Sequence, residues 1–113
     1  MTTEQPISIT RGEDVTLSGT VTDQDGAAVD ISGDSMVFTI KNSLTDADAD
    51  AVKQINATNL GADGTFDVPI ADTDTKNIDL RPRWYDLEIT HSTGTKATVS
   101  RGRFTLKPDV TKA

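Results

Sequence analysis

The stretch Thr45-Asp46-Ala47-Asp48-Ala49-Asp50-Ala51 sets three carboxylates at alternate positions, the kind of oxygen-rich run that can hold calcium when a loop folds it around one ion. An EF-hand loop needs acids at positions 1, 3 and 5, glycine at 6 and a bidentate glutamate at 12. Counted from Asp46, the sixth residue is Ala51 and the twelfth is Ala57, so both the sharp turn and the closing ligand are missing. The same letters fit a capped helical turn or a solvated loop. Thr45-x-x-Asp48 resembles a capping box, early acids favour the positive end of the helix dipole, and Ala47, Ala49 and Ala51 are strong helix formers. We therefore expect a loop here, no metal, and a following strand over Val52–Ile55. Asp23-x-Asp25-Gly26 reads as hairpin chemistry, and Asp72-x-Asp74 as a short helical turn within 71–77.

Catalytic groups are sparse. His91 is the sole histidine and lies at a strand end beside Ser92, where most such residues are simply solvated. No nucleophile-elbow motif and no phosphate-cradling glycine motif accompany it, and there is no cysteine to serve as thiolate or metal ligand. With 18 carboxylates in the chain, an acid pair can always be nominated, so nominating one carries no information. The expectation is a protein that is not an enzyme and carries no cofactor.

The elements that position these residues are strands. Val15, Leu17 and Val21 share one parity, as do Met36, Phe38 and Ile40, then Phe66, Val68 and Ile70, then Tyr85, Leu87 and Ile89. Such period-2 runs are half-buried strands. In 96–107 the phase slips between Val99 and Phe104, which predicts a bulge or bend near Arg101-Gly102. Asp23–Gly26, Gly61–Gly64 and Ser92–Gly94 supply turns in which glycine takes a positive φ. About seven short strands at this spacing predict a single all-β domain over 1–113, an immunoglobulin-like sandwich, with a small barrel as the alternative. Tyr85 resembles a tyrosine corner, whose hydroxyl bonds back to the preceding loop; an ordinary half-buried tyrosine is the other reading.

Trp84 is the most informative single residue. If Tyr85, Leu87 and Ile89 point inward, Trp84, Asp86 and Glu88 point outward. An outward tryptophan flanked by Arg81 and Arg83 has the composition of a protein-interface anchor. The bland alternative is a tryptophan buried by local twist or a covering loop.

Composition bounds the partners. The 113 residues carry a net charge of −7, with 15 Asp against 3 Glu, so the acidity belongs to turns more than to helices. An acidic surface repels phosphates, which argues against nucleic acid and anionic membranes. The N-terminus lacks a basic, then apolar, leader, and no apolar run approaches the roughly 20 residues of a membrane span, so synthesis in the cytoplasm is expected. At 35% hydrophobic residues the core is lean, and partner contacts can supply part of the working stability.

The order of motifs adds a resemblance. Arg11-Gly12-Glu13-Asp14-Val15 is followed by Asp25-Gly26-Ala27-Ala28-Val29-Asp30-Ile31-Ser32-Gly33, then Met36–Lys41, Gly64-Thr65-Phe66, Trp84-Tyr85-Asp86-Leu87-Glu88-Ile89, Gly102-Arg103-Phe104 and Pro108-Asp109-Val110-Thr111. The series resembles the small all-β virion proteins of tailed phages, and is similar to the N-terminal domain of siphophage upper baseplate proteins. The resemblance implies a sandwich that docks into a particle in many copies, with other virion proteins and copies of itself as partners. The chain ends just after the PDVT stretch, where baseplate proteins continue, so neck, head surface and tail remain open beside the baseplate. Two readings from other classes stand beside it: a free-standing adhesion or carbohydrate-binding module, and, remotely, an enzyme built around His91.

Overall fold

The computed structural model describes residues 3–43 and 51–108. Asp46, Asp48 and Asp50 lie outside the described residues, so the loop reading of that stretch does as well. The described chain runs β1 (Thr3–Glu4), β2 (Ile7–Thr10), β3 (Val15–Thr20), β4 (Ser35–Lys41), β5 (Lys53–Asn56), β6 (Thr65–Ile70), α1 (Asp72–Thr75), β7 (Arg83–Thr90) and β8 (Lys96–Lys107). Strand alternation makes the layers. Phe38, Ile40, Val68, Ile70, Ile89 and Phe104 point to the middle and are almost fully buried, while the intervening residues face out. Each such aliphatic or aromatic side chain contributes about 1.5–3 kcal/mol by leaving water. Phe38 stacks on Tyr85 with ring centroids 5.4 Å apart and meets Phe104 edge-on at 6.1 Å, so three of the chain's few aromatics form one cluster.

The larger sheet is ordered β8-β7-β4-β5, all antiparallel, with β1 and β2 both added parallel to β8. The smaller sheet is β3 paired antiparallel with β6, Val15 opposite Ile70 through Thr20 opposite Thr65. No described strand belongs to both sheets, which makes the molecule a sandwich and not a barrel. An extra strand beside the third strand of the larger sheet is the variable-type immunoglobulin arrangement. With no cysteine in the chain, no disulfide joins the layers.

Turn chemistry behaves as its residues predict. Gly26, Gly64 and Gly94 have φ of +83°, +82° and +96°, each in one of the expected turns. Asp23 Oδ1 accepts the backbone N–H groups of Asp25 and Ala27 at 2.9 and 3.0 Å, so this carboxylate builds a hairpin. α1 is the helical turn expected around Asp72; Asp74 accepts the Ala71 N–H at 2.8 Å, and buried Thr75 accepts the Gly12 N–H at 2.9 Å.

Three expectations need correction. The β8 phase slip lies at Val99, not at Arg101-Gly102: Leu87 faces Ser100 and Glu88 faces Thr98, leaving Val99 as the extra residue. Gly102 answers a different need, because a Cβ there would collide with the Gln5 backbone where β1 bends into β2. Tyr85 is no tyrosine corner, since its hydroxyl donates to the Gln5 carbonyl, 80 residues upstream, and meets Ser100 Oγ at 3.0 Å. Burial pushes this phenol above its ordinary pKa of 10.0. Finally, β2 was outside the expected strands. Its two apolar residues, Ile7 and Ile9, make too short an alternation to read alone, and a parallel partner nearly 100 positions away completes it.

Candidate protein-binding face

β7 separates two chemistries by parity. Arg83, Tyr85, Leu87 and Ile89 face the core, whereas Trp84, Asp86, Glu88 and Thr90 face out from the larger sheet and are half-buried by their neighbours. Trp84 is therefore where the alternation puts it. Its cross-strand neighbours are Lys41 on β4 and Arg103 on β8, and the Arg103 guanidinium carbon lies 4.8 Å from the centre of the indole ring. A guanidinium over an aromatic face is attracted by the ring's quadrupole, worth about 0.5–1 kcal/mol at an exposed site.

The next row across the sheet is Thr39, Asp86 and Arg101. Thr39 faces outward yet is only 2% exposed, and Gln54 Nε2 donates to its hydroxyl at 3.3 Å. Polar side chains thus lie flat and cover this face. Lys41, Arg101, Arg103 and Lys107 stand on it against Asp86 and Glu88, so an excess of positive charge gathers here on a chain whose net charge is −7.

Arg83 does not join Trp84. It shares the parity of Tyr85, its side chain is 6% exposed, and it closes the bottom of the sandwich. Nη2 donates to Asp79 Oδ1 at 2.7 Å, Nη1 to the carbonyls of Asp79 and Arg81 at 2.6 and 3.3 Å, and Nε to Asn42 Oδ1 at 3.1 Å. A buried guanidinium needs such a cage, and the loop 79–82 supplies it. Arg81 is exposed but engaged: Nη2 and Nε reach the Asp79 carboxylate at 2.9 and 3.0 Å. Arg81 first and Arg83 second hold Asp79 at a pKa of about 2, below the ordinary 3.8. Of the expected trio Trp84, Arg81 and Arg83, only Trp84 lies on the outer face of the larger sheet, near the start of β7. Its basic companions are Arg103 and Lys41. Their association follows from strand register, for which the linear sequence carries only the alternating arginines of Arg101-Gly102-Arg103.

His91 belongs to a turn. Its Nδ1 lies 2.8 Å from Asp34 Oδ2, and Asp34 Oδ1 accepts the Ser92 N–H at 2.9 Å, tying the start of β4 to the β7–β8 turn. No described residue hydrogen-bonds the other ring nitrogen. Among the described residues there is no cluster of three or more His, Cys, Asp or Glu that could hold a metal ion, and no helix long and apolar enough to cross a membrane.

No family model matches the sequence, and no curated protein matches it. Among solved structures the chain is similar to the NK cell receptor Nkp44, a triggering partner in natural cytotoxicity, with a TM-score of 0.56 at 11% identity over 91% of this chain and 97% of that one. The fold is immunoglobulin-like. At this identity the likeness carries the fold alone. A family 123 glycoside hydrolase from Clostridium perfringens matches over 97% of this chain but 24% of its own, with a TM-score of 0.36 and 10% identity, too distant to bear on the fold.

Proposed function

We propose that the chain is a structural component of a tailed virus particle, made in the host cytoplasm and carried in the virion in many copies. On this reading it is held by protein–protein contacts through the outer face of its larger sheet. The particle is supported by the ordered motifs around Val29-Asp30-Ile31-Ser32-Gly33, Trp84–Ile89 and Pro108-Asp109-Val110-Thr111. The docking face is carried by one observation: Trp84 stands under Arg103 on a basic sheet face of an otherwise acidic protein. Aromatic residues and arginine are the usual anchors of interfaces, and basic charge on an acidic chain steers an acidic protein surface to that spot.

Two measurements test this. Purified virions should contain the chain at a fixed stoichiometry. Trp84→Ala should fold normally yet lose about 2 kcal/mol or more of binding to its neighbour in the particle, while Trp84→Phe keeps much of it. A chain absent from virions whose Trp84 face instead binds glycans would establish the adhesion-module reading.

A further inference from the structure

Among the described residues β3 has β6 on one side and no strand on the other, with a cleft beneath that edge. In an antiparallel ladder, facing residues alternate between pairs that exchange hydrogen bonds and pairs that do not. Pro69, opposite Thr16, has no N–H to give. Asp67, opposite Ser18, exchanges both of its backbone bonds with Thr58 on its far side, at 2.7 and 2.9 Å. Thr65, opposite Thr20, likewise turns its carbonyl away, to Gly61. Thr16, Ser18 and Thr20 therefore direct their N–H and C=O groups away from β6, and no described residue bonds any of them. Proteins usually guard such an edge with charge, proline or a bulge. β3, Val-Thr-Leu-Ser-Gly-Thr, has none of these.

Below this edge a cleft of about 400 Å³ opens between the sheets, lined among others by Ile7, Leu17, Phe66, Val68, Leu87 and Val99. That is room for several aliphatic side chains, against the roughly 30 Å³ that one water claims in the liquid. Its opposite wall is built from Gln5 and Ile7 around the β1–β2 bend and from Val99 and Ser100 of β8. Outward backbone groups above a partly apolar cleft call for a single extended segment, whose backbone can pair with β3 while its alternate side chains enter the cleft.

We propose that β3 is the acceptor edge for a strand supplied by another polypeptide, a second contact site distinct from the Trp84 face and independent of it. The incoming strand adds to Thr16, Ser18 and Thr20 through its backbone and sends alternate apolar side chains into the cleft, the mode of recognition in which main-chain bonds give affinity and pockets give register. Charge sets its ends. Glu13 and Asp14 precede β3 and Asp23 and Asp25 follow it, so the strand is uncharged along its centre and basic at its termini.

The probe is the capped peptide Lys-Val-Thr-Val-Thr-Val-Lys, titrated into the isotope-labelled chain with amide exchange read residue by residue. Saturable binding that slows exchange at Thr16, Ser18 and Thr20 is expected, and replacing both peptide lysines by glutamates should weaken it. Ser18→Pro removes an N–H that faces outward and keeps the β6 backbone ladder, but it also loses the bond from Ser18 Oγ to Asp67 Oδ1 at 2.7 Å, so Ser18→Ala is its control. Both should fold with similar melting temperatures. Ser18→Ala should bind the peptide like the parent, and Ser18→Pro should lose at least about tenfold in affinity, which is 1.4 kcal/mol. Trp84→Ala should bind the peptide normally. No saturable binding, equal binding by a folded Ser18→Pro, or protection elsewhere than β3 overturns the proposal.

Discussion

In the larger sheet β8, β7 and β4 each have a strand on both sides, and the distinctive chemistry stands on the face, as Trp84, Arg103 and Lys41. In the smaller sheet two described strands pair only with each other, and the distinctive chemistry is backbone, at the outward N–H and C=O groups of Thr16, Ser18 and Thr20. A face recognises a partner by its side chains, so it is sensitive to their identity and to salt. An edge recognises a partner mainly through its backbone, so most substitutions along β3 should matter less than proline. The two proposed contact surfaces of this small sandwich can thus be switched off separately by different experiments.

The largest effect should come from breaking what both surfaces rest on. Leu87 is 5% exposed between the sheets, and Leu87→Asp would bury a carboxylate with no partner; loss of more than about 4 kcal/mol, read as an unfolded chain by circular dichroism, is expected. Phe38→Asp should do the same, and folded variants at both positions would contradict the register.

Next in size is Arg83. Removing a buried, paired cation typically costs about 3–5 kcal/mol, and the half-exposed Asp79 on the other side places Arg83→Ala nearer about 2–3 kcal/mol by denaturant melt. Arg83→Met, which keeps the stem, should cost less. The same pair sets an acid limit. Asp79 titrates at about 2 in the folded chain and at 3.8 as an ordinary aspartate, so its stabilisation is complete above 3.8 and is lost as pH falls towards 2. In Asp79→Asn the decline of melting temperature across that window should be shallower than in the parent.

Smaller effects separate face from edge. Trp84→Ala should cost the isolated fold about 1 kcal/mol or less, since the indole is half-buried and holds one cation–π contact. Its binding loss should shrink as salt rises, because the charges around it are exposed. Ser18→Pro should be mild for the fold, and the fold-change that it causes in edge binding, a backbone effect, should vary less with salt than that of Trp84→Ala. If both variants weaken the same partner equally, the two surfaces are one.

Much of the sandwich was legible because its inward positions are apolar at period 2; Met36, Phe38 and Ile40 or Tyr85, Leu87 and Ile89 admit few other readings. The same rule misled where parity and residue type disagreed. Arg83 looked like a companion of Trp84 because arginine is usually outside, although its position already placed it inside with Tyr85. The bulge was visible as a phase slip, but Gly102 drew the assignment away from Val99; the glycine serves the Gln5 crossing instead. Arg103 over Trp84, and β3 without an outer neighbour among the described strands, could not be read at all, because both depend on which distant strands pair.

The placement of β2 beside β8 bears on how the domain carries load. The two strands run parallel, Thr10 beside Lys107, and β1 continues the same alignment with Thr3 beside Ser100. Tension applied between Thr3 and Lys107 therefore slides β1 and β2 lengthwise along β8. The hydrogen bonds of that seam stretch together in shear instead of opening one after another. A domain with a lean core can in this way still resist pulling along that axis.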